Sequence, residues 1–198
     1  MRCAFSSGRS PPKRKDEEIM NMNRKTRLLA QGAMICALYT VLTYVAASLN
    51  LAYGPVQFRF SEALTVLPVF TPAAVPGLAL GCFLSNLASP LGIVDWVFGT
   101  SATLLAAVGT RMLRDVKVKG MPVLAPLPPV LANAVIVGLE VACLSEAGVV
   151  GWGNFSWAAF GAGALSVGIG KLVVCYCLGL PLLIALDKAQ VARRVLEY

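Results

Sequence analysis

The chain has 198 residues, of which 57% are hydrophobic and only 14% charged, with a net charge of +7 and no histidine. Soluble domains average about 25% charged residues, so the composition excludes a soluble fold; the missing histidine excludes a His general base, a His-paired nucleophile and a His-containing metal site. The basic excess lies in the two tails and one internal loop, which is how membrane proteins distribute Lys and Arg, and this argues against a nucleic-acid partner.

Residues 1–27 hold 11 charged residues together with Ser6, Ser7, Ser10, Pro11 and Pro12, and they show no apolar periodicity. They read as a disordered basic cytoplasmic tail. A membrane domain is expected over residues 28–186, followed by a cytoplasmic C-terminal tail at 187–198. A bilayer core about 30 Å thick takes about 20 helical residues, and the uncharged run Leu28 to Leu49 supplies the first span. Phe58 to Leu87 is broken by Pro68, Pro72 and Pro76, so it predicts two short helices turning at Thr71 to Pro76, or a re-entrant hairpin. Ile93 to Leu113 is the fourth span, and Leu127 to Leu144, opened by Pro126, Pro128 and Pro129, is the fifth. Trp157 to Leu186 contains the sixth. The six cysteines form no CxxC pair, and all but Cys3 lie in apolar runs.

An even number of spans puts both ends on one side. That side carries Arg24, Lys25, Arg27, Arg111, Arg114, Lys117, Lys119, Lys188, Arg193 and Arg194, while the opposite loops, 50–57, 88–92 and 145–156, carry no Lys or Arg. By the positive-inside rule the fold class is an all-α membrane protein of six transmembrane helices with cytoplasmic N- and C-termini.

Five ionisable residues fall inside or at the rim of spans: Arg59, Glu62, Asp95, Glu140 and Lys171. Each is expensive in a bilayer and needs a partner or a cavity. In the six-span arrangement Arg59, Glu62, Asp95 and Glu140 converge on the outer leaflet. Arg59 and Glu62, three residues apart, could also pair with each other, and Asp95 could simply cap a helix. Glu140 has no local partner; Asn133, seven residues earlier, shares its helical face, and Asn86 lies near the outer end of the third span. Amides and carboxylates together suit a ligand with a planar edge of donors and acceptors. Trp96, Trp152, Phe155 and Trp157 fit an interfacial belt, and Trp152, in a Gly-rich outer loop, could equally fold over a ligand. Lys171 is deeper and is expected to neutralise a buried carboxylate or face a polar partner; Gly170-Lys171-Leu172 lacks the spacing and the Ser or Thr of a phosphate-binding loop. Ala33 and Ala37 in the first span, and Gly77 and Gly81 in the third, have the four-residue spacing that lets helices approach closely in lipid.

Four segments carry a resemblance: Gly54-Pro-Val-Gln-Phe-Arg-Phe-Ser-Glu-Ala-Leu-Thr-Val-Leu-Pro68, Pro76-Gly-Leu-Ala-Leu-Gly-Cys82, Asp95-Trp-Val-Phe-Gly-Thr-Ser-Ala-Thr-Leu-Leu105, and Ala125-Pro-Leu-Pro-Pro-Val-Leu-Ala-Asn-Ala-Val-Ile-Val-Gly-Leu-Glu140. From about Leu28 to Leu186 the chain resembles the QueT family of queuosine-precursor transporters, the substrate-binding (S) components of energy-coupling factor (ECF) transporters. The resemblance implies a bacterial plasma-membrane protein that is not an enzyme and uses no cofactor or metal. It would bind a deazapurine such as 7-aminomethyl-7-deazaguanine and dock on one transmembrane coupling protein and two ATPase subunits. It further implies that Ala33 and Ala37 face the coupling protein; from the chemistry of such a ligand, one carboxylate among Glu62, Asp95 and Glu140 could read the guanine-like edge and a second could meet the ammonium, an assignment the resemblance itself leaves open. Arg59, Asn86, Asn133 and Trp152 complete the expected ligand set. A stand-alone proton-coupled carrier, with Glu62 or Glu140 as its proton site, is the alternative.

Overall fold

A computed structural model describes residues 14–52, 58–116, 122–143, 151, 153 and 155–188, with side chains from Asn23 onward. Among these residues all regular structure is helical. The elements in order are α1 (Arg14–Ser48), a 3-10 helix (Phe60–Val69), α2 (Ala74–Asn86), α3 (Ile93–Met112) with a short 3-10 turn (Leu113–Asp115), α4 (Leu127–Ala142), α5 (Trp157–Val174), a π-turn (Cys175–Gly179) and α6 (Leu180–Lys188).

The first helix starts at Arg14, so residues 14–27, expected to be part of a disordered tail, are helical. The Arg, Lys, Glu and Met of this stretch are good helix formers and need no apolar face to continue a helix that the apolar span already nucleates. At its other end α1 stops where Asn50 takes a left-handed φ of 57°. Leu51 N–H then reaches the Ala46 carbonyl and Asn50 N–H that of Ala47, both at 2.9 Å, which is the bonding of a Schellman cap.

Asn23–Ser48, Ile93–Asp115 and the continuous run Trp157–Lys188 are long and apolar enough to cross a membrane. The 3-10 helix, α2 and α4 are shorter; at 2.0 Å per residue for a 3-10 helix and 1.5 Å for an α-helix they reach only about 20, 20 and 24 Å against a core of about 30 Å. Six helical segments are therefore present as the sequence predicts, but three of them are shorter than the bilayer core. The break between the second and third falls at Phe70 to Ala73, where Thr71 Oγ1 accepts from Ala73 N–H (3.3 Å) and donates to Gln31 Oε1 of α1 (2.9 Å).

The 3-10 helix is the centre of the bundle. Ser61 to Pro68 are buried on every side, and α1, α2, α3, α5, the π-turn and α6 all pack on it. Around it, α1 through α5 pack in sequence order. Small residues set the distances: a Cβ on Gly77 would lie 2.7 Å from the Gly32 carbonyl oxygen of α1, and one on Gly138 would lie 3.0 Å from Ala164 of α5. The Gly77-x3-Gly81 stripe is thus internal packing against α1. Ala33 and Ala37, by contrast, are exposed on α1. The π-turn occurs just before Pro181, whose missing N–H and bulky ring disrupt the α-helical ladder; Leu180 N–H bonds five residues back, to the Cys175 carbonyl.

Candidate ligand site

The start of the 3-10 helix, the last turn of α2, the first turn of α3 and the last turn of α4 meet at one end of the bundle, and each brings a polar side chain. Arg59, 3% exposed, occupies the N-cap position of the 3-10 helix. Its Nη1 donates to Asn86 Oδ1 (2.9 Å), its Nε to the Ala52 carbonyl (3.1 Å), and its Nη2 lies 3.7 Å from Asp95 Oδ2. Asn86 Nδ2 donates in turn to the Asp95 backbone carbonyl (2.9 Å) and approaches its carboxylate at 3.4 Å. Asp95 does not cap α3: the N-cap is Gly92, which makes no side-chain bond, and Asp95 turns inward as the acidic partner of Arg59.

Glu62 takes different partners. Its Oε1 accepts from Tyr39 Oη (2.8 Å) and forms an ion pair with Lys171 Nζ, both side chains being almost wholly buried. Lys171 therefore neutralises a buried carboxylate, the first of the two roles expected for it. The alternative of a self-contained Arg59–Glu62 pair is not what the structure adopts, although each lies within the other's electrostatic reach.

Glu140 is 2% exposed, and neither carboxylate oxygen has a hydrogen-bond partner among the described residues. The charges that act on it are those of Asp95 and Arg59. Asn133 is buried on the same face of α4, but its Nδ2 donates to the Pro129 carbonyl of its own helix at 2.8 Å. Trp96 is half-buried with its ring edge-on to Phe83 of α2, Trp157 is 78% exposed, and Trp152 lies outside the described residues.

Two contributors escape a reading of the sequence. Tyr39 sits in an otherwise unremarkable apolar span, and its only signal is that a buried phenol usually finds a partner. Gly99 is the other: a Cβ there would stand 2.5 Å from Asn86 Nδ2 and 2.8 Å from Asp95 Oδ1, so the absence of a side chain is what lets those two meet. Gly99→Ala is accordingly expected to keep the fold but to displace Asn86 from Asp95, weakening ligand affinity by about 1 to 3 kcal/mol in calorimetric titration. Wild-type affinity in that variant would show that the Asn86–Asp95 contact is dispensable.

Chemically, the site offers a carboxylate whose acceptors are unspent, an Arg–Asp–Asn array held rigid by mutual bonds, and no group of three potential metal ligands among the described residues. Such a set of donors and acceptors has the chemistry to bind and orient a polar solute.

A sequence profile for the family described as QueT transporter matches residues 29–188. A characterised relative, the queuosine precursor transporter QueT of Lactococcus lactis subsp. cremoris (strain MG1363), is 35% identical over 81 residues, which is 41% of this chain and 47% of that protein. The aligned stretch thus spans about half of the relative's length. No solved structure matches the chain.

Proposed function

This chain belongs to the QueT transporter family and is a multi-pass cell-membrane protein, and we propose that it is the substrate-binding component of an ATP-driven ECF-type importer for a queuosine precursor. The observation that carries the ligand reading is the buried carboxylate of Glu140, without a hydrogen-bond partner among the described residues, beside the Arg59–Asp95 pair. The buried ionisable side chains are Arg59 and Lys171 against Glu62, Asp95 and Glu140, which leaves one carboxyl group without a matching cation among the described residues. A ligand bearing a single positive charge and a guanine-like edge, such as 7-aminomethyl-7-deazaguanine, supplies what that balance lacks. Arg59, Asn86, Asp95, Asn133 and Trp152 would line its remaining edges.

The proposed partners are a transmembrane coupling protein and two ATPase subunits, in keeping with the lack of a phosphate-binding loop in the sequence. Their docking face would include Ala33 and Ala37. Calorimetric titration of the detergent-purified protein tests the ligand: 7-aminomethyl-7-deazaguanine should bind at least about tenfold more tightly than an analogue whose ammonium is replaced by a neutral group. Equal affinity for the two would sink the reading of Glu140 as counter-charge. A buried carboxylate without a partner is also what a proton-coupled carrier requires, and uptake that persists in cells lacking the ATPases would favour that reading.

Orientation follows from charge. With the ten basic residues inside, a single Cys introduced at Gly151 of an otherwise Cys-free chain should be labelled by an impermeant thiol reagent from outside, and one at Lys117 should not. The reverse pattern would move the ligand site to the cytoplasmic side.

A further inference from the structure

Arg59, extended at the N-cap, and Glu62, in the first turn, are three residues apart at the start of the 3-10 helix. Opposite charges so close in the chain have a local pairing open to them. Here they are separated: Arg59 reaches away to Asn86 and Asp95 on α2 and α3, and Glu62 is held by Lys171 of α5 and Tyr39 of α1. We infer that Lys171 is a positioning residue for the ligand site, which by engaging Glu62 leaves Arg59 to organise Asn86 and Asp95. The inference rests on the ligand reading above and withdraws Glu62 from direct ligand contact.

The surroundings of Lys171 are built for this grip. Positions 171, 175 and 179 are four residues apart, and all three meet the 3-10 helix. Cys175 Sγ contacts the Glu62 carbonyl and Thr65 Oγ1, each at 3.8 Å. Gly179 would place a Cβ 3.2 Å from Val66 and 3.4 Å from the Ala63 carbonyl, so the helix comes as close there as a residue without a side chain allows. The π-turn that includes Cys175 and Gly179 keeps this face toward the 3-10 helix through the disruption at Pro181.

Without the Lys171 ammonium, the strongest cation in reach of Glu62 is Arg59, already within its electrostatic range. Glu62 would draw the guanidinium toward itself by the local i,i+3 pairing. Asp95 would then lose its cation and stand, uncompensated, near Glu140. The array that faces the ligand would be lost although Lys171 never touches it.

The test is a double-variant cycle on detergent-purified, monodisperse protein, titrated with 7-aminomethyl-7-deazaguanine and normalised to the folded fraction. Lys171→Met should bind at least about tenfold more weakly per folded molecule, Lys171→Arg should bind nearly as wild type, and Lys171→Met with Glu62→Gln should recover most of the loss, because a neutral residue 62 no longer competes for Arg59. Wild-type affinity per folded molecule in Lys171→Met would reduce Lys171 to a purely structural role and overturn the proposal. A double variant that binds no better than Glu62→Gln alone, both of them far weaker than wild type, would also overturn it, by placing Glu62 on the ligand. If Lys171→Met does not fold, that second comparison decides. Wild-type protein that ignores the probe would overturn the ligand assignment and this proposal together, whereas failure in the variants alone overturns only the proposal.

Discussion

Glu140→Gln is expected to lower affinity for 7-aminomethyl-7-deazaguanine by at least about tenfold while leaving the folded yield unchanged. The substitution preserves the size of the side chain in a position 2% exposed, so no cavity opens in α4. It makes two chemical changes. One carboxylate oxygen becomes an NH2 group, so a ligand N–H that met an acceptor now meets a donor in a water-poor site, and an unmet buried polar group costs about 1 to 3 kcal/mol. The substitution also removes the negative charge that a cationic ligand would balance, and hydrogen bonds to charged groups are roughly twice as strong as neutral ones. Stability should not suffer, because neither oxygen of Glu140 bonds to a described residue. Wild-type affinity in Glu140→Gln would remove Glu140 from the site and leave Asp95 as the carboxylate that reads the ligand.

Much of this geometry could be read from the sequence, for a reason that particular residues make plain. A charged residue in an apolar run must be satisfied, and its distance along the run fixes its depth, so Arg59, Glu62, Asp95 and Glu140 are all expected at one end of the bundle; Arg59, Asp95 and Glu140 gather there, while Glu62 is tied to Lys171 and Tyr39. The same logic gives Lys171 a buried carboxylate or another polar group as partner, and the structure supplies the carboxylate of Glu62. What periodicity does not reveal is which partner each charge takes. Arg59 and Glu62 are neighbours in sequence, yet their bonds go to residues 27 and 36 positions away in one case and 109 and 23 in the other. The choice between local and distant pairs depends on tertiary approach, and that is set by Gly99 and Gly179, positions at which a sequence shows only a missing side chain. Helix type was equally hidden: prolines mark where Phe58 to Leu87 must break, but whether the first half winds as 3-10 or α depends on how six surrounding elements crowd it. The N-terminal stretch misled in the opposite sense, because polarity and prolines suggested disorder while good helix formers from Arg14 extend the first span.

Ala33→Trp and Ala37→Trp should abolish ATP-driven uptake and leave ligand binding intact. Both alanines are exposed on α1 and line an apolar groove of about 830 Å³ between α1 and α2, shared with Gly32, Ala73 and Gly77. Small residues, Gly32, Ala33, Ala37, Ala73 and Gly77, lie among the larger Leu28, Leu29, Val41, Leu80 and Leu84 that also line the groove, and small residues are what allow another helix to come close in lipid. A tryptophan carries about 150 to 250 Å² of surface and would occupy the space a partner helix needs. The ligand site would be undisturbed: Ile35 and Tyr39, buried on the opposite side of α1, face the core, and the Tyr39–Glu62 bond is made there. The two measurements separate the explanations. Uptake at the wild-type rate in both variants would mean that a coupling partner engages another face. Loss of ligand binding alongside uptake would mean that this face supports the bundle itself, because bulk there would then have to be transmitted through α1 to Tyr39 and Glu62.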